Sequence, residues 1–177
     1  SIARLCNAGD GSQGAVDVQM RDADGAQFWA SAWISTIELD GVQMYLLVAS
    51  DISEQRLLTE RLSYQASHDS LTRLFNRREF EARAQVLLAR PGHRDGALLF
   101  IDLDQFKLIN DTSGHRAGDE LLVQLAVVMR ERLRPEEVLG RLGGDEFGVL
   151  LPGISATDVA QAAERLRRCI EGFIFTW

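Results

Sequence analysis

Cysteine, proline and long apolar runs are all scarce in this chain of 177 residues, and each scarcity removes a class of protein. The two cysteines, Cys6 and Cys169, lie far apart and match no metal-ligand spacing, so both are read as reduced thiols of a cytosol-like compartment and not as a disulfide framework. With 3 prolines, 46% hydrophobic and 25% charged residues, the composition is that of a folded protein and not of a disordered or low-complexity one. The longest apolar stretches, such as Ala97 to Ile101 and Val149 to Leu151, fall far short of the roughly 20 residues that span a bilayer, and no basic-then-apolar leader opens the chain. A soluble, cytoplasmic protein is expected, any membrane tether belonging to segments outside this chain. Positive charge is also short: 19 Lys+Arg against 26 Asp+Glu leaves a net charge of −7. That balance argues against a general nucleic-acid binder or an anionic-lipid binder, and leaves open nucleotide ligands, which need only a local site. No Gly-x-x-x-x-Gly-Lys-Ser/Thr loop is present, which removes P-loop enzymes.

The first third alternates in hydropathy over Ala15 to Met20, Phe28 to Ile37 and Val42 to Val48, predicting three antiparallel strands. The turns Asp22-Ala23-Asp24-Gly25 and Leu39-Asp40-Gly41 each supply an Asp-Gly pair, whose glycine accepts the positive φ of a tight hairpin. A three-stranded meander is expected, awaiting strands that precede Ser1. Asp51 then offers a helix cap with Glu54 three residues on, and Leu58, Leu62 and Ala66 form an i, i+4 stripe with Leu57 beside it. That stripe fits a dimer seam and equally a helix packed on its own domain. The meander with Trp33 in its second strand, the turn at Gly41 and the exit Asp51-Ile52-Ser53 resemble the C-terminal half of a PAS sensor domain, which implies an unidentified ligand and a signal carried along the exit helix.

The remainder opens with His68-Asp69-Ser70-Leu71-Thr72-Arg73-Leu74-Phe75-Asn76-Arg77-Arg78, entering a helix expected to end before Pro91-Gly92. Ala97-Leu98-Leu99-Phe100-Ile101-Asp102 reads as a buried strand delivering an acid at its tip, a position suited to a metal. Thr112 to Asp119 reads as a loop, and Glu120 to Leu133 as a helix with Asp119 at its N-terminus, where it could serve as a cap or recognise a ligand. Val138 to Leu142 and Phe147 to Leu151 read as strands around Gly143-Gly144-Asp145-Glu146, a hairpin whose turn carries adjacent acids. Brought beside Asp102, that pair would hold Mg²⁺ against phosphate oxygens, which suggests phosphoryl transfer. A last helix, Ala156 to Ile170, precedes Phe173-Ile174-Phe175-Thr176-Trp177, which has strand composition; both ends of the chain are read as cut from a longer parent.

Arg141-Leu142-Gly143-Gly144-Asp145-Glu146-Phe147 is similar to the signature of GGDEF domains, the diguanylate cyclases, and the resemblance extends over roughly Gln65 to Trp177. Asp69 to Arg78 looks like the family's entry motif, Asp102-Leu103-Asp104-Gln105-Phe106-Lys107 like its metal strand, and Asn110-Asp111, Gly114-His115 and Gly118-Asp119 like its guanine-binding segment. The implied fold class is α+β: a PAS-like antiparallel sheet fragment over residues 1–52, a signalling helix over 53–67, and a palm-like α/β GGDEF domain over 68–177, truncated at its C-terminus.

Carried over by position, the resemblance makes Asp102, Asp145 and the backbone carbonyl of Leu103 ligands of Mg²⁺ or Mn²⁺. Glu146 helps deprotonate the attacking hydroxyl, Asn110 and Asp119 read guanine, and Lys107 with Gly143 and Gly144 lies along the phosphates. Two GTP molecules, one on each subunit of a homodimer, would condense to cyclic di-GMP with release of pyrophosphate, two metal ions stabilising the attacking and leaving oxygens. The alternative is a catalytically silent GTP-binding module acting on an adjoining EAL phosphodiesterase domain; Asn76 to Phe80 together with the Phe173 to Trp177 ending resembles GGDEF domains that such a domain follows. Where many relatives carry an inhibitory Arg-x-x-Asp, this chain has Arg134-Pro135-Glu136-Glu137, and the longer Glu137 is expected to weaken product binding. Because the family fold continues through a further strand and helix bearing basic residues, the 177 residues alone are expected to be inactive, with an unpaired sheet edge at Phe173 to Trp177.

Overall fold

A computed structural model describes residues 15–89 and 96–177, so Cys6 and the Pro91-Gly92 stop lie outside the described residues. The chain divides into two units between Leu62 and Ser63. In the first, β1 (Val16–Arg21), β2 (Gln27–Leu39) and β3 (Val42–Asp51) form the expected antiparallel meander. Asp40 (φ 51°) and Gly41 (φ 77°) both adopt left-handed backbone between β2 and β3, the geometry of a two-residue hairpin loop that matches strand twist. The earlier turn is tied by Asp22, whose Oδ1 accepts the Asp24 and Ala26 N–H groups at 3.0 and 2.8 Å.

α1 (Ser53–Ser67) follows β3 directly. Asp51 Oδ1 accepts the Ser53 N–H at 2.9 Å, and bonds to Ser53 hold its carboxyl below the usual aspartate range. The return bond expected from Glu54 does not form among the described residues. The helix start is fixed instead by tertiary contacts: Ser53 Oγ accepts the Trp29 N–H at 2.9 Å, and Arg56 pairs with Asp17 at 3.3 Å while lying 4.1 Å over the Trp29 ring. No residue of α1 is buried, and Leu57, Leu58 and Leu62 stand exposed.

The second unit runs β4 (Phe75–Asn76), α2 (Arg77–Ala89), β5 (Gly96–Asp102), α3 (Phe106–Ser113), α4 (His115–Arg130), β6 (Val138–Gly143), β7 (Glu146–Pro152) and α5 (Ala156–Glu171). Its sheet has the order β4-β6-β7-β5, with β4 parallel to β6 and the other pairs antiparallel. The period of two in β7 sorts its side chains: Phe147, Val149 and Leu151 pack with Leu122, Leu125 and Met129 of α4 and Leu166 of α5, while Leu150 joins Phe80 of α2. The fold is therefore α+β, an antiparallel meander followed by an α/β unit with helices on both faces of its sheet.

Two stretches depart from the sequence reading. Thr112 to Asp119 is not a loop, because α3 continues to Ser113 and α4 starts at His115, with only Gly114 (φ 85°) between them. Phe173 to Trp177 is irregular and not a strand; among the described residues it finds no strand partner, and Phe173 and Phe175 pack on the main core.

The α2 face of the sheet depends on a paired absence of side chains. Gly140 and Gly148 are register partners in β6 and β7, and Phe80, 2% exposed, lies across both. A Cβ on Gly148 would come 2.5 Å from Phe80 Cζ and one on Gly140 2.8 Å from Phe80 Cδ2. Gly148→Ala is expected to destabilise the second unit by about 1–3 kcal/mol and Phe80→Ala by about 3–5 kcal/mol in urea unfolding. Because both act on one contact, the double variant should cost less than the sum. Strict additivity would mean that the ring does not occupy the glycine pit.

Candidate active site

β5 carries its apolar run to Asp102 at the sheet's end, and the β5–β7 register sets Asp102 opposite Glu146. β6 turns into β7 through Gly143 (φ 154°), Gly144 (φ 50°) and Asp145, so Asp102, Asp145 and Glu146 share one end of the sheet. Nothing lies within 4 Å of a Cβ built on either glycine, so the turn's backbone requires them and leaves open space beside it. Beyond Asp102, Leu103 is buried, Asp104 is exposed, and left-handed Gln105 (φ 61°) directs the chain into α3.

α3 bears Lys107 and Asn110, and α4 packs against it so that Gly118 abuts the Asn110 side-chain amide. Asp119 follows Gly118 in the chain, so it lies one residue from the point where α4 meets Asn110. Asp119 lies in the second turn of α4, whose N-cap is Gly114, so a capping role for Asp119 is excluded. Among the described residues no side-chain hydrogen bond or ion pair within the protein engages Asp102, Asp145, Lys107, Asn110 or Asp119.

Three residues with no role in the sequence reading supply the pairing that these lack. Arg141 donates through Nε and Nη2 to the Gly144 carbonyl at 3.0 and 2.8 Å, and through Nη1 to Asp69 Oδ1 at 3.1 Å. Asp69 Oδ1 also accepts the Thr72 N–H and hydroxyl at 2.8 and 2.7 Å. Arg77 donates to the Leu142 carbonyl at 2.8 Å and to Glu146 Oε2 at 3.1 Å. The glycine turn is thus gripped from both sides, and among the described residues Glu146 is the one signature acid with a side-chain partner. Asp69 and Thr72 stand in an i, i+3 pattern that sequence can suggest, but the link to Arg141 spans 72 positions and follows only from the fold.

Asp102, Asp145 and the Leu103 carbonyl offer hard oxygen donors, a set that suits Mg²⁺ or Mn²⁺ completed by water and phosphate oxygens. The Leu103 carbonyl already accepts the Phe106 N–H at 3.3 Å and keeps a second lone pair. Among the described residues no three His, Cys, Asp or Glu side chains converge closely enough to hold an ion by themselves. At the Arg134 turn, Glu137 is 6% exposed and accepts the Arg134 N–H at 2.8 Å, so its carboxylate is engaged within its own turn.

Burial raises the Asp69 carboxyl, but the two Thr72 bonds and the Arg141 guanidinium outweigh it and hold Asp69 below the ordinary aspartate value. A depressed folded-state value contributes stability that is complete above the unfolded value near 4 and is lost as pH falls through the folded one. Urea midpoints of the second unit should therefore drop below about pH 4, and Asp69→Asn should flatten that dependence. An identical pH profile in the variant would remove Asp69 from this role.

Residues 66–177 match the family described as diguanylate cyclase, GGDEF domain. Probable diguanylate cyclase DgcE of Escherichia coli K12 is 46% identical over 142 residues, covering 78% of this chain and 13% of that protein. Cyclic di-GMP phosphodiesterase PdeB of Shewanella oneidensis is 39% identical over 121 residues, 68% of this chain and 14% of that protein. The solved coiled coil and GGDEF domain of DgcB from Caulobacter crescentus, in complex with c-di-GMP, superposes with a TM-score of 0.66 at 29% identity, over 71% of this chain and 67% of that one. The chain spans well under half the length of the relatives first matched, 13%, 39% and 36% of them. The family match covers more than half of the chain, the matched residues include the acids gathered at one sheet end, and the chain belongs to the GGDEF-domain diguanylate cyclase family.

Proposed function

We propose that the second unit condenses two molecules of GTP into cyclic di-GMP and releases pyrophosphate. The observation that carries this reading is the division of labour at the site: among the described residues Asp102, Asp145, Lys107, Asn110 and Asp119 make no side-chain hydrogen bond or ion pair, while Asp69, Arg77 and Arg141 hold the turn between them. Unpaired polar groups gathered on a braced frame suit a ligand that brings its own partners.

Asn110 and Asp119 bind the guanine edge, the carboxylate accepting from the ring N–H and the exocyclic amine, which adenine would leave mispaired. Lys107 and the open Gly143-Gly144 turn lie along the phosphates. Asp102, Asp145 and the Leu103 carbonyl would hold a divalent ion, which when bound neutralises charge on the α-phosphate and on the departing pyrophosphate. The 3′-oxygen of one GTP forms a bond to the α-phosphorus of the other, the bond to pyrophosphate breaks, and the hydroxyl proton passes to Glu146; a second such step, from the remaining 3′-hydroxyl to the remaining α-phosphorus, closes the ring and releases the second pyrophosphate. Arg77 keeps one Glu146 oxygen occupied and leaves the other for that proton.

One unit supplies half of the reacting pair, so the active species is a homodimer. The exposed Leu57, Leu58 and Leu62 of α1 support a helical seam ahead of the catalytic unit, and residues 1–52 act as a PAS-like sensor of an unidentified ligand. No described helix is long and apolar enough to cross a membrane. A second reading is favoured by the likeness to a protein named as a phosphodiesterase: a silent GTP-binding module regulating an adjoining EAL domain.

Pyrophosphate release from Mg²⁺ and GTP by the full-length protein separates the two readings, since a silent module binds without release. For the cyclase, Asp102→Ala and Asp145→Ala should abolish release with melting temperature unchanged or raised; near-normal synthesis in either would sink the assignment. Asn110→Ala and Asp119→Ala should each weaken GTP binding by about 1–3 kcal/mol. Asp119→Ala should do so without loss of stability, because Asp119 caps nothing. Cyclic di-GMP binding at Arg134 should be weak, and submicromolar binding that Arg134→Ala eliminates would show that Glu137 still serves an inhibitory site.

A further inference from the structure

Gly118 sits inside α4, where glycine is a poor choice on helix propensity, and its backbone is not left-handed, so conformation does not call for it. It is buried, and space explains it. A Cβ built there collides with Asn110 Oδ1, and would also lie 3.0 Å from Asn110 Cγ and 3.1 Å from Phe106 Cζ. The atom in the way is the far end of a side chain that has no protein hydrogen bond among the described residues, so the fold can yield by swinging the amide aside. The α3–α4 packing, which also seats Phe106 on the main core, leaves this one gap for the amide.

We infer that Gly118 is a positioning residue for nucleotide selectivity: by lacking a side chain it fixes where the Asn110 amide points, and thereby the base that Asn110 and Asp119 accept. This rests on the reading of Asn110 as a guanine contact. Gly118 itself touches no substrate and acts through Asn110.

The test compares the full-length protein with its Gly118→Ala, Asn110→Ala and doubly substituted forms. Side-chain amide resonances of Asn110 are recorded without nucleotide, and Kd values for GTP and ATP are measured with Mg²⁺. In Gly118→Ala the Asn110 resonances should shift while the melting temperature holds, GTP affinity should fall about tenfold, and the preference over ATP should shrink. In the Asn110→Ala background the same glycine substitution should change neither affinity further. Unmoved Asn110 resonances, or an equal loss of affinity in both backgrounds, would overturn the inference. If Gly118→Ala alone does not fold, the double variant must, because removing the amide vacates the space; failure of both also overturns it. Absence of GTP binding by the unsubstituted full-length protein would defeat the proposed function, while the resonances would still decide what Gly118 does.

Discussion

The β5–β7 ladder fixes the acidic end of the second unit's sheet, because its register alone decides which side chain faces Asp102. In the observed pairing, Asp102 meets Glu146 and Ile101 meets Phe147. A slip by one residue would turn Phe147, Val149 and Leu151 away from α4 and α5 and expose the core, so burying three large apolar side chains also locks the acids in place. At about 1.5–3 kcal/mol for each such side chain, the core enforces the register far more strongly than any surface ion pair could. Geometry at the site is thus set by hydrophobic residues that take no part in its chemistry.

Closing the sheet end demands a turn that core packing cannot define. Gly143 and Gly144 provide its backbone, and their freedom would leave Asp145 poorly placed without bracing. Arg141 and Arg77 provide the bracing with planar guanidinium groups that reach main-chain carbonyls and a carboxylate together, a geometry lysine could not reproduce. Arg141 is largely enclosed, with its side chain 14% exposed beside Asp69, so this pair is less screened than an ordinary surface bridge. It also joins the entry segment following α1 to the signature turn.

Strands and turns of the meander were legible because period-two hydropathy and Asp-Gly pairs act over a few residues, as at Asp40-Gly41. The acids Asp102, Asp145 and Glu146 were legible as a group because a strand tip and a hairpin turn are local signals, and the ladder brought them to one end. What stayed hidden depends on distance or on absence. The α3–α4 junction resembles a loop, since Thr112 to Asp119 is rich in glycine and polar residues, yet a single left-handed residue at Gly114 suffices to separate two helices. The Phe80 pit arises from two glycines in different strands, and nothing near Phe80 in sequence announces them. The Phe173 to Trp177 tail has strand composition, but composition cannot supply a neighbouring strand to pair with.

Charge at the site places a last constraint on how ligands can enter. Asp102 and Asp145 share the sheet end, Lys107 is the cation among the residues read as contacting substrate, and Arg77 is already committed to Glu146. A triphosphate approaching such a surface meets like charge, at about 1 kcal/mol per pair at 4 Å even in bulk water and more where water is displaced. A divalent ion reverses that balance, and the carboxylates in turn find the ion more attractive once phosphate oxygens complete its coordination. Each ligand therefore raises the affinity for the other by the same factor, as linkage requires. On the proposed reading, base recognition stands apart from this coupling: the proposed guanine contacts Asn110 and Asp119 stand on α3 and α4, while the proposed metal ligands Asp102 and Asp145 stand on β5 and the β6–β7 turn. The residues proposed for selectivity and those proposed for catalysis thus belong to different elements, joined where the chain passes from Asp102 through Gln105 into α3.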